Sequence, residues 1–78
     1  MRDGDNNGKE TKIISSLKQV REDIGMTQQE LAIRIGVRRE TIGHLENNRY
    51  NPSLEMALKI VKIFDMKIED IFQLRKED

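Results

Sequence analysis

Two short helical segments divided by a single glycine, at residues 27–47, constrain this chain more than any other feature. Thr27 with Glu30 three residues on is a capping-box signature. The hydroxyl and the carboxylate each satisfy a backbone N–H that the first turn of a helix leaves without a partner. Leu31, Ala32 and Ile35 follow at helical spacing, and Gly36 ends the segment after about two turns. The predicted helices cover residues 27–35 and 38–47. On the second, Ile42 and Leu45 face inward, and Asn48 suits the positive φ that closes it.

The flanking sequence supplies further helices. Residues 11–25 carry Ile13, Ile14, Leu17, Val20 and Ile24 at helical spacing, with Lys12, Lys18, Gln19, Glu22 and Asp23 opposite them and Gly25 as a left-handed cap. After a turn at 49–52, Ser53 caps a fourth helix whose apolar positions are Leu54, Ala57, Leu58, Val61 and Phe64. A short fifth helix, about residues 68–73, contains Ile68, Ile71 and Phe72. No stretch alternates at period two for long enough to be a strand. The expected fold is therefore all-α, a compact five-helix domain over residues 11–74 with no internal repeat. Residues 1–10 read as a disordered polar arm and 75–78 as a frayed end. Within the arm, Asp3, Asp5, Asn7 and Gly8 match the first half of a calcium loop. The twelfth loop position is Ile14 where a bidentate acid is required, so the match is set aside as chance.

Composition excludes several kinds of chemistry. The 78 residues include no cysteine and one histidine, which removes disulfides, thiolate nucleophiles and zinc sites needing several such ligands. No nucleophile–base pair, phosphate loop or metal cluster is visible, so an enzyme is not expected and no cofactor is called for. Apolar runs never exceed three residues, and the N-terminus lacks a secretion signal, which points to a soluble cytoplasmic protein without membrane contact. Fourteen basic and fourteen acidic residues cancel, whereas nucleic-acid binders are usually basic. Locally the balance differs: residues 34–50 hold Arg34, Arg38, Arg39 and Arg49 against Glu40 and Glu46.

Two short helices joined by a tight glycine turn form the unit that inserts its second helix into a DNA major groove. The residues sharpen this. Thr27, Gln28, Leu31, Ala32, Gly36, Val37, Ile42, Leu45 and Glu46 at their spacing, followed by Asn51, Pro52 and Ser53, resemble the XRE/Cro family of helix-turn-helix regulators, similar to lambda-type phage repressors. The resemblance spans about residues 13–74. It implies a lambda-repressor-like domain that binds double-stranded DNA, here as a transcriptional regulator and repressor of an inverted-repeat operator. The rival reading is an antitoxin-like or other protein-interaction module using the same fold.

The face of the recognition helix follows from geometry. At about 100° per residue, Ile42 and Leu45 facing inward put Glu40, Gly43, His44 and Asn47 outward, with Arg39 at the flank. Arg39 can pair with O6 and N7 of a guanine, Glu40 can accept from a cytosine N4, and His44 lies one turn on. The resemblance assigns base contact to the positions of Arg39, Glu40 and His44. A missing side chain at Gly43 would permit close approach. Gln28, Arg38, Asn47, Arg49 and Tyr50 are the candidate backbone contacts, and the resemblance adds that Gln28 braces the recognition helix. It also implies a structural ion pair between Arg21 and Glu46.

Three positions depart from the family pattern: Arg38 and Lys67 stand where capping residues are common, and Asn48 where glycine is. One recognition helix reads few base pairs, so a homodimer is expected, with half-sites about 34 Å apart. Met66, Ile68, Ile71, Phe72 and Leu74 are the dimer candidates; closing the monomer core is the other use open to them. No small-molecule effector site is evident.

Overall fold

The computed structural model describes residues 12–75; the expected arm at 1–10, with its partial calcium-loop pattern, and residues 76–78 lie outside it. Seven elements follow in order: β1 (Ile13–Ser15), α1 (Leu17–Asp23), α2 (Gln28–Ile35), α3 (Arg39–Glu46), α4 (Leu54–Phe64), α5 (Ile68–Ile71) and β2 (Phe72–Leu74). Among the described residues there are five helices, as expected. The all-α expectation is corrected by β1 and β2, which pair antiparallel with Ile13 opposite Leu74, Ile14 opposite Gln73 and Ser15 opposite Phe72.

The strands replace the outer ends of two predicted helices. α1 starts at Leu17, where the Ser15 hydroxyl accepts the Leu17 N–H at 3.0 Å. Serine hydroxyls offer the backbone such alternatives to continuing a helix. The Ile71 carbonyl accepts the Ser16 N–H at 2.8 Å, and the Lys12 carbonyl accepts the Arg75 N–H at 2.6 Å. Arg75 is thus tied to the small sheet rather than frayed. β-branched Ile13 and Ile14 fit the pleated surface well.

The local punctuation follows side-chain chemistry. Thr27 and Glu30 form a reciprocal capping box, with Thr27 Oγ1 accepting the Glu30 N–H at 3.0 Å and Glu30 Oε1 accepting the Thr27 N–H at 2.8 Å. Ser53 caps α4 through the Met56 N–H at 3.0 Å. Helix ends close on left-handed residues: Gly25 and Gly36 after α1 and α2, then Asn48 (φ 59) and Asp65 (φ 56) after α3 and α4. After α1, the Gly25 and Met26 N–H groups return to the carbonyls of Glu22 and Arg21, as the αL geometry allows. No side chain caps α3 at Arg38. At Lys67 the missing cap is offset by Asp70, whose carboxylate accepts the Lys67 N–H at 3.1 Å.

One core joins all the helices. Leu17, Leu31, Ile42, Leu45, Ile60 and Ile71 are fully buried, with Ala32, Ile35, Met56, Ala57, Val61 and Phe72 around them. Two expectations change here. α4 buries Met56, Ala57, Ile60 and Val61, whereas Leu54 and Leu58 face solvent. Ile24, expected on the inner face of the first helix, is exposed in the turn that ends it.

Candidate nucleic-acid interface

α2 and α3 enclose the core between Leu31, Ala32 and Ile35 on one side and Ile42 and Leu45 on the other. Burying those residues turns the opposite face of α3 outward. Arg39, Glu40 and His44 are exposed along it, and Gly43 lies between them, half-buried. A Cβ built at Gly43 would meet only the Gln28 amide nitrogen, at 3.9 Å, so the free protein leaves that space open. Arg39 and Glu40 occupy the first turn, the part of such a helix that points toward a groove floor.

A hydrogen-bonded network beneath this face connects it to the core. Arg21 is buried, and its Nε donates to Glu46 Oε2 at 2.7 Å while Nη2 donates to Oε1 at 3.1 Å. The two side chains are 8% and 2% exposed, so this bidentate pair lies in the interior. The third guanidinium nitrogen, Nη1, donates to the Met26 carbonyl at 2.7 Å, in the turn before α2. Hydrogen bonding to Glu46 raises the Arg21 pKa above the ordinary arginine value against the opposing effect of burial, and the charges of Glu46 and Glu22 add to the rise. The guanidinium stays charged.

Gln28 extends the network outward. As the first residue of α2 it donates from Nε2 to Glu46 Oε1 at 3.0 Å, and its Oε1 accepts from Arg39 Nη1 at 3.3 Å. One amide group therefore holds the end of α3 through Glu46 and steadies the arginine at its beginning. A second N–H on the same nitrogen is left for an outside acceptor. The Arg39–Gln28 and Arg21–Met26 contacts could not be read from helical spacing, because each depends on how the turns bring separate elements together.

The remaining candidates lie around the rim. Arg38 precedes α3 and Asn47 ends it, both exposed; Arg49 and Tyr50 follow, exposed as well. Because the Glu46 carboxylate points inward to Arg21, Glu40 is the sole exposed acid between residues 34 and 50, against exposed Arg38, Arg39 and Arg49 around α3; Arg34 lies apart, in a groove with Ile24, Met26, Glu30 and Ile33. The surface around α3 thus keeps its local excess of positive charge. Asn48 turns its side chain away from this rim: its Oδ1 accepts the Ser15 N–H at 3.0 Å, tying the end of α3 to β1.

The five dimer candidates separate. Ile71 is fully buried and Phe72 7% exposed, so both belong to the monomer core and are withdrawn. Met66 and Leu74 are exposed, and Ile68 packs half-buried against the core.

The pattern that defines the helix-turn-helix family matches residues 17–71 of this chain. An uncharacterised HTH-type transcriptional regulator of Archaeoglobus fulgidus is 55% identical over 62 residues, covering 80% of this chain and 87% of that protein. The antitoxin HipB of Escherichia coli K12 is 36% identical over 58 residues, covering 74% of this chain and 66% of HipB. SinR of Bacillus subtilis, solved in complex with DNA, matches at TM-score 0.61 and 30% identity, covering 68% of this chain and 86% of the SinR chain.

Proposed function

The chain belongs to the XRE-type helix-turn-helix family of transcriptional regulators, and from that premise we propose that it binds double-stranded DNA sequence-specifically through α3. In this reading Arg39, Glu40 and His44 read base edges in the major groove. Gln28, Arg38, Asn47, Arg49 and Tyr50 hold the phosphates on either side, and the absent side chain at Gly43 lets the helix sit close. The observation that carries it is the Glu46–Gln28–Arg39 chain of hydrogen bonds. A solvated surface arginine has no need of a brace; one that must meet a base in a fixed orientation gains from having its rotamers restricted beforehand.

Two copies bound to an inverted repeat follow from the small footprint of one recognition helix, and a protein seated on an operator acts most simply as a repressor. Regulation then depends on concentration, since no effector is invoked. This activity places the protein in the cytoplasm of a prokaryote or a phage-infected cell. No described helix is long and apolar enough to cross a membrane.

The test is a mobility-shift titration on an inverted-repeat duplex from the region upstream of the coding sequence, across a range of salt. Log affinity should fall with log salt, at about 0.9 per phosphate neutralised. Absent or salt-independent binding would contradict it. The similarity to HipB favours one second reading, an antitoxin-like module that also binds a partner protein. That reading gains if the purified chain ignores DNA until a partner is added.

A further inference from the structure

The face of α4 opposite the core is apolar where a surface helix is ordinarily polar. Leu54 is 73% exposed and Leu58, one turn later, 50%; with Glu55, Lys59 and Lys62 they line a shallow groove of about 410 Å3. A single exposed leucine needs no explanation. Two in register form a stripe, and the core does not use them, since Met56, Ala57, Ile60 and Val61 fill the inner face. We propose that this stripe is where a second copy of the chain docks, α4 against α4, antiparallel about a two-fold axis between Leu58 and Lys59. The proposal rests on the reading that the protein works as a pair, and it puts the contact on α4 rather than at Met66, Ile68 or Leu74.

The order of charges selects the occupant. Glu55 stands at the N-terminal end of the groove and Lys59 and Lys62 toward the other. Glu55 Oε2 meets Lys59 Nζ at 3.2 Å within the same helix, whereas Lys62 has no ion pair among the described residues. An axis between positions 58 and 59 maps 55 onto 62. Each copy's Glu55 then faces its mate's Lys62, one contact made twice by symmetry, as an isologous interface requires. A parallel arrangement would set lysine against lysine. The helix dipoles also favour the antiparallel choice. A uniformly acidic or basic partner would match only half of the groove. Two leucines per copy make a contact well under the ~1,200 Å2 of a standard interface, so the pair is weak in free solution and tightens when both copies are held on one duplex.

The chain has no cysteine, which permits a direct test without DNA. Leu58→Cys, at a protein concentration raised far enough to populate the weak pair and treated with a short bismaleimide, should give a covalent dimer at least about tenfold faster than Ile33→Cys or Leu74→Cys at the same concentration, through the higher effective concentration of paired thiols. Those control positions are 68% and 77% exposed, so accessibility does not account for a difference in that direction. Adding Lys62→Glu should bring Leu58→Cys down to the control rate, and adding Glu55→Lys as well should restore it. Equal rates at the three sites, or faster linking at Leu74→Cys, overturn the α4 interface. Failure of the double charge reversal to restore the rate overturns the antiparallel register. Because no duplex is present, the result stands or falls separately from DNA binding.

Discussion

Replacing Glu46 with alanine is expected to damage the fold more than any other single change at the surface of α3. The carboxylate accepts from Arg21 Nε, Arg21 Nη2 and Gln28 Nε2, and its side chain is 2% exposed. Without it the Arg21 guanidinium remains in the interior with only the Met26 carbonyl as partner. Leaving a buried charge without its counter-ion costs ~3–5 kcal/mol. At ~0.05–0.15 kcal/mol per residue the whole domain holds ~4–12 kcal/mol, so about a quarter or more of its stability is at stake. With about 4–8 °C per kcal/mol for a domain of this size, thermal melts followed by circular dichroism should show Tm falling by at least ~12 °C. The companion variant Arg21→Met with Glu46→Leu removes both charges and should recover most of that loss, because the penalty comes from the orphaned charge rather than from the absence of an attraction. A Tm drop below ~4 °C for Glu46→Ala would refute the reasoning, since it would mean that water solvates Arg21. A double variant weaker than the single would refute it from the other side.

Other outcomes follow from the same geometry. Arg39→Ala should weaken binding to a selected operator by ~1–3 kcal/mol and relax the preference at one base position; equal loss on scrambled duplexes would make Arg39 a phosphate contact. Gln28→Ala should lower stability by only ~0.5–1.5 kcal/mol in urea melts, yet broaden the base preference at the Arg39 position, because the arginine loses its brace. Gly43→Ala should move two observables in opposite directions. It stabilises the free protein by ~1 kcal/mol, since the new methyl meets nothing nearer than 3.9 Å, and it weakens operator binding by occupying the space the DNA would enter. A variant that binds as well as the parent would show that α3 does not approach closely there.

What could be read from the sequence was what neighbouring residues decide among themselves. The Thr27–Glu30 box, the Ser53 cap, the left-handed turns at Gly25, Gly36 and Asn48, and the inward Ile42 and Leu45 each depend on a span of a few residues. The sheet was hidden because three-residue strands carry no readable alternation, and because Ile13 and Phe72 come from opposite ends of the described chain. The rotation of α4 about its axis is not legible in the sequence. Its apolar residues form two adjacent stripes, Leu54 with Leu58 and Met56 with Ile60, and only packing against elements such as α2 and α5 decides which goes in. Lys67 looked uncapped because the cap comes from Asp70 reaching backward, with a donor that any residue type supplies. At the recognition face, helical spacing placed the exposed residues; the Glu46–Gln28–Arg39 connection needed the turn between α2 and α3.

Selecting bound duplexes from a random pool tests the central claim most directly, with the parent chain and Arg39→Ala run side by side. The account predicts enrichment of an inverted repeat by the parent, with half-site centres about one DNA turn apart, and loss of one defined base position in each half-site for the variant. A pool that stays random after repeated rounds, or identical enriched sites for both proteins, would contradict it.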